Sequence, residues 1–273
     1  MLRLETNEGW WLVTHPDHAD LAGQFATKWG NEIFCSPEPR AEVLRGIFAH
    51  DDGWAARDAK PLITKQGKPS AFSKELVGKY SAFEEIDLDA YLAVRRSAVQ
   101  FMAQQDPYAA ILISMHTHNL LSARADRSTI RPEQLSLLDA FLEEQASLQR
   151  ELRQRLAAAG ELPPEQITED ALTENFRLLQ ATDNLSLLSC VDFGGAATLL
   201  WPQRTRDGSA TEIQVTRIAE RSFRLSPYPF AESQLMFKLR TRFVPGLVFG
   251  SSEELQAQFA AARVEEIKVV VSS

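Results

Sequence analysis

In the run His50-Asp51-Asp52-Gly53-Trp54 an imidazole and a carboxylate sit side by side. His18 lies 32 residues earlier, His116 and His118 follow, and Asp183 comes later still. Neutral imidazoles and carboxylates gathered from several separate rigid elements are the donor set of a divalent transition metal. The expected ligands are therefore His18, His50, Asp51, His116, His118 and Asp183, holding one or two ions of Mn, Fe, Co, Ni or Zn. With two ions, Asp51 would bridge, His18 and Asp183 would complete one centre, and His50 and His116 the other. Asp51 and Asp52 are the expected catalytic carboxylates, Asp51 by bridging or orienting water. Asp52 reads either as partner to a ligating histidine or as cap of the next turn. The competing reading is structural, since single buried histidines and aspartates commonly serve as hydrogen-bonded members of a core.

Four expected helices would carry these groups. Residues 9–14 read as a short strand, and a helix starting after Pro16 has Ala22, Phe25 and Trp29 on its buried face, with His18 on the same side. A second helix over residues 39–50 buries Val43, Leu44, Ile47 and Phe48, and Gly53 is expected to end it, leaving His50 and Asp51 close to the apolar stripe. Residues 55–85 read as an irregular excursion of a length that is often functional. Helices resume at 89–105, at 107–123 (strongly apolar, a central buried helix), at 133–159 and at 168–191. Asp183 falls four residues after Leu179 and four before Leu187, and a carboxylate on such a face must be paired, protonated or metal-bound. His116 and His118 are separated by about 200° around a helix and cannot face one way; His116 is preferred. Trp54 is expected to pack at the site's edge, and His15 is expected at a helix entry.

From Gly194 onward the pattern becomes β-rich, with strands at 197–201, 212–218, 222–225, 235–242 and 267–271. The expected fold is mainly α, a helical bundle over 1–193 with a small β-rich C-terminal extension over 194–273. A net charge of −8 argues against a general nucleic-acid binder. Cys35 and Cys190 form neither a disulfide framework nor a zinc-finger spacing. No apolar run approaches the ~20 residues needed to span a bilayer, and no signal peptide is visible, so a cytoplasmic protein without membrane or nucleic-acid partners is expected. Arg45, Lys65, Lys68, Arg177 and Arg204 could each neutralise a phosphate, with solvated surface as the default. Gly-x-Ser-x-Gly, Walker-type and Gly-x-Gly-x-x-Gly motifs are absent.

The ligand order over residues 12–190 resembles the HD superfamily of metal-dependent phosphohydrolases. More closely, the chain resembles domain-of-unknown-function family 3891. That likeness is carried by Asp17-His18-Ala19, His50-Asp51-Asp52-Gly53-Trp54 with Asp58, Gly67-Lys68-Pro69, Ser114-Met115-His116 and Pro227-Tyr228-Pro229-Phe230. The HD resemblance implies an HD-like helical domain and hydrolysis of a small phosphorylated substrate by metal-bound hydroxide. The long separation of Asp51 from Asp183 and the C-terminal strands depart from that pattern and leave the substrate open. Two further readings are an HD-type di-iron oxygenase, for which the histidines suffice, and a non-catalytic ligand-binding or scaffold module.

Overall fold

The computed structural model describes residues 1–70, 88–125 and 127–273. Two short strands, β1 (Leu2–Glu5) and β2 (Gly9–Val13), pair antiparallel. Thr14 then turns the chain into α1 (His15–Lys28), its hydroxyl accepting from the Asp17 N–H. Pro16 sits in the first turn, where the missing N–H would have had no helical partner, so the helix begins at His15 rather than after the proline. The next helix, α2 (Arg40–Phe48), stops two residues short of His50. Residues 49–51 form a turn leading into a 3₁₀ turn at Asp52–Trp54 and the single-turn α3 (Ala55–Asp58). Gly53 therefore lies inside this turn and does not terminate the preceding helix. Of the expected excursion at 55–85, residues 71–85 lie outside the described residues.

Four longer helices follow: α4 (Leu88–Gln105), α5 (Pro107–Asn119), α6 (Leu135–Ala159) and α7 (Glu169–Cys190). The entry to α5 is fixed by Asp106, whose carboxylate accepts from the N–H groups of Tyr108 and Ala109. That helix is buried nearly all round, from Tyr108 to Thr117, and it packs against α2, α4, α6 and α7. It gives way to a π-helical turn at Leu120–Arg124.

The C-terminal third contains β3 (Ala196–Thr198), β4 (Gln203–Arg204), β5 (Ala210–Thr211), β6 (Gln214–Ala219), β7 (Ser222–Ser226), β8 (Gln234–Pro245), α8 (Ser252–Ala261) and β9 (Val264–Ser272). Seven strands form one curled sheet in the order β1-β2-β8-β9-β7-β6-β3. Neighbours are antiparallel except β7 and β9. Helix makes up 52% and strand 22% of the structure, so the fold is mixed α/β. The expectation of a mainly α, all-helical bundle with a small β-rich extension is wrong. The reason is β8, whose twelve residues pair with β9 on one edge and with β2 on the other, Trp10 standing opposite Val244. The sheet thus recruits the N-terminal hairpin and crosses the expected division at residue 193.

The sheet packs against α1 through apolar residues on one face. Phe25 of α1 meets Phe237 of β8 edge to face at 4.7 Å, with Leu239, Val269 and Val271 in the same core. Two glycines set how closely the site-bearing elements approach. A Cβ on Gly23 would stand 2.3 Å from the Phe48 ring, and one on Gly53 would stand 2.8 Å from the Ala98 Cβ. The first draws α1 against the end of α2, and the second seats the 52–54 turn on α4.

A buried histidine and aspartate cluster as the candidate functional site

His18 projects from the second turn of α1, His50 and Asp51 from the turn after α2, His116 from α5 and Asp183 from α7. The five meet in the interior, exposed by 1%, 1%, 5%, 2% and 6% respectively. Water cannot solvate charge at such positions, so each polar atom needs a partner within the protein or an ion. Two overlapping sets have one ligand atom per residue within 4.8 Å of the others: His18, His50 and Asp51, and His50, His116 and Asp183.

The outer nitrogens of the histidines are committed. Ser186 donates its hydroxyl proton to the Asp183 carbonyl oxygen at 2.8 Å, so at 3.0 Å from His18 Nδ1 it accepts the proton of that nitrogen. His50 Nδ1 donates to the Ile47 carbonyl at 2.7 Å, one of the carbonyls left open at the end of α2. His116 Nδ1 contacts the Gln180 amide. With the amide nitrogen facing the ring, Gln180 Oε1 is buried without a partner. In either orientation of the amide one of its polar atoms stays buried without a partner, so Gln180 orients the His116 ring without choosing which of its nitrogens carries the proton. When neutral, His18 and His50 therefore carry their proton on Nδ1 and their lone pair on Nε2.

Those lone pairs face carboxylates. His18 Nε2 is 3.0 Å from Asp51 Oδ2, and His50 Nε2 is 3.4 Å from Asp183 Oδ1 and 3.9 Å from Asp51 Oδ2. His50 Nε2 is fully buried with no hydrogen bond of good geometry; only when Nε2 is protonated does its approach to Asp183 become an ion pair. A lone pair opposed to a carboxylate is repulsive unless a proton or a cation stands between them.

With protons alone in the cluster, the electrostatics are strained. Burial pulls the His50 imidazole down, but Asp183 and Asp51 outweigh it and raise its pKa to about 9. Burial lowers His116 to about 3, against the pull of Asp183. Burial pushes the Asp51 carboxyl up, yet the Arg95 guanidinium beside it holds it well below the usual carboxylate range. Asp183 is likewise held low against its burial by His50.

Arg95 is the member that sequence reasoning missed. It lies on α4, 5% exposed, and donates to Asp51 Oδ1 and to the Tyr91 hydroxyl at 3.2 Å. The signal was present: Arg95 falls four residues after Tyr91 and four before Val99, both buried. A guanidinium on such a stripe must have a partner. Gln180 and Ser186 were missed too, although each is three residues from Asp183 on α7.

The remaining expected residues stand elsewhere. His118 is half-buried on the other side of α5, with Nδ1 3.4 Å from the Ser122 hydroxyl. Asp52 is exposed at the start of the 3₁₀ turn. Trp54 packs at the cluster's edge against Arg95, Tyr91 and His15. Arg45 pairs with Asp106, Lys68 with Glu5 and Arg177 with Glu174, while Lys65 and Arg204 are exposed.

Residues 1–246 match the family described as "Protein of unknown function (DUF3891)". The chain belongs to this family. No curated protein and no solved structure matches it, and the HD-superfamily resemblance finds no support in these comparisons. Several residues that carried the family likeness have structural work. Gly67 adopts φ +73° where a Cβ would stand 2.7 Å from Val248. Phe230 packs on Trp29, and Ser114 donates to Gln145. Among the described residues, no helix is long and apolar enough to cross a membrane.

Proposed function

We propose that His18, His50, His116, Asp51 and Asp183 hold a divalent transition metal and that this family member is a metal-dependent hydrolase. The observation that carries the reading is the buried His50 Nε2, which lacks a hydrogen-bond partner while two carboxylates and two further imidazoles surround it. The donor set fits: neutral imidazole nitrogens, with the outer protons of His18 and His50 held by Ser186 and Ile47, together with carboxylates are what such an ion takes. Bound there, a divalent ion supplies Lewis acidity and lowers the pKa of a water toward ~7. The chain's own residues do the rest. Ser186, Ile47 and Gln180 orient the three imidazoles, Arg95 orients Asp51, and the carboxylates offset the charge of the ion. A small phosphate ester is the substrate class implied by the resemblance of the His, His-Asp, His, Asp order to the HD superfamily, which the family comparison does not itself support.

The test is elemental analysis of the purified protein beside Asp51→Ala and Asp183→Ala, with phosphoester hydrolysis assayed on the same samples. Metal in the native protein, lost in both variants together with hydrolysis while far-ultraviolet circular dichroism is kept, is the expected result. Hydrolysis retained by Asp51→Ala would refute the enzymatic reading. Absence of metal after reconstitution with Mn, Fe, Co, Ni and Zn would refute the metal centre itself.

A further inference from the structure

Two ligand sets side by side suggest two ions, but His50 belongs to both. Its Nδ1 is engaged by the Ile47 carbonyl, so it has a single lone pair and serves a single ion. Assigning His50 to either set leaves the other with only one imidazole and one carboxylate, too few to retain a second ion. The contacts of Asp51 point the same way. The Arg95 guanidinium on Oδ1 opposes a second cation at that oxygen by like-charge repulsion, while Oδ2 faces His18 and His50.

Arg95 is itself held firmly. Its guanidinium stacks 5.2 Å from the Trp54 ring and 5.4 Å from the Tyr91 ring, and bonds the Tyr91 hydroxyl. Arginine stays protonated at any pH the fold survives, and its withdrawal would leave the buried Asp51 carboxylate without its guanidinium. The 50–54 run supplies both the carboxylate that Arg95 grips and the ring on which it rests.

We propose that Arg95 is a positioning residue that reserves one oxygen of Asp51, so that the two overlapping ligand sets form a single mononuclear centre. This rests on the metal-centre reading above and sharpens it, because a di-iron oxygenase requires the two-ion arrangement that a mononuclear centre does not provide.

The experiment uses full-length protein loaded with Mn²⁺ alone. Metal per chain is measured by elemental analysis, and the coupling state by electron paramagnetic resonance. One Mn²⁺ per chain with an isolated six-line spectrum is expected. Two per chain with an exchange-coupled signal would overturn the proposal while leaving a metal centre standing. Failure to bind Mn²⁺ or any other divalent metal tried would instead remove the reading beneath it. Arg95→Met is expected to weaken Mn²⁺ binding by about 10–100-fold, the usual effect of losing a group that orients a ligand, and to alter the zero-field splitting. Arg95→Lys, which can still engage one oxygen, is expected to recover most of the affinity. Unchanged affinity and spectrum in a folded Arg95→Met protein would overturn the role given to Arg95. Should that variant not fold, the native stoichiometry and the Arg95→Lys protein still decide the matter.

Discussion

Two histidine–aspartate groups lie on successive turns at the start of α1, and they behave in opposite ways. His15 and Asp58 form a closed set. Asp58 accepts from the His15 backbone N–H and lies 2.9 Å from its Nδ1, and the Met1 amine lies 3.1 Å from the other carboxylate oxygen. Three residues on, His18 faces Asp51 in a set that does not close, because Arg95 and Ser186 use up the available donors and acceptors and His50 Nε2 is left over. Both groups are buried and built from the same residue types. What separates them is the remainder after every hydrogen bond is assigned: a set that satisfies itself stabilises the fold, and one with surplus lone pairs has capacity for an ion.

The sharpest challenge to this contrast is to damage the closed set. Asp58→Ala leaves a buried imidazole without its carboxylate, and breaking such a pair typically costs about 3–5 kcal/mol. Urea unfolding should show that loss, while metal content per folded chain stays at the native level. A variant that instead loses metal would join the two groups into one site. A smaller effect is expected at Gln180→Leu. Freeing the His116 ring should weaken metal affinity by about 10–100-fold, read by titration calorimetry, with little change in the stability of metal-free protein.

His15 of the closed set and His50 of the open one should also titrate in opposite directions in metal-free protein. His15 is lowered to about 4, chiefly by burial, so below about 6.5 the unfolded chain takes up a proton that the folded chain refuses, and stability falls as pH falls toward 4. His116, held at about 3, adds to that acid limb. His50, despite its burial, is raised to about 9 by Asp183 and Asp51. Its contribution is full below about 6.5 and is lost as pH rises through 9. Thermal melting across pH should therefore decline on both sides. His15→Gln should flatten the acid limb and His50→Gln the alkaline one; a single variant that flattened both would remove the distinction. The least effect is expected at His118→Ala, outside both groups, with stability changed by no more than about 0.5 kcal/mol and metal content unchanged.

The residues of the cluster were legible in the sequence because their types and order are local information. The helices that carry them were legible too, within a few residues at their ends, since α1, α2 and α7 each show one apolar stripe. The choice between His116 and His118 was not settled by pattern, because α5 is buried nearly all round and has no polar face from which an inward direction can be inferred. The sheet was hidden for a different reason. Its decisive pairing joins Trp10 to Val244, and no local periodicity reports a partner more than two hundred residues away. Leu2–Glu5 alternates apolar and charged residues over only four positions, too short a run to identify a strand without its pairing with β2. The commitment of His50 Nδ1 to Ile47 depends on where α2 stops, and helix ends are the least certain feature of any sequence pattern.

The depth of the five side chains has a consequence for time as well as for energy. Among the described residues none of the five is more than 6% exposed, so ion and substrate alike reach or leave the cluster only when the helices packed around it open. Exchange must wait for a local opening of the protein, an event far rarer than dissociation from an exposed site. A chelator added to loaded protein should then extract the ion at a rate set by the protein's own opening and independent of chelator concentration. The chain would keep whichever metal it met while folding, and occupancy would record the history of the molecule more faithfully than the composition of its surroundings.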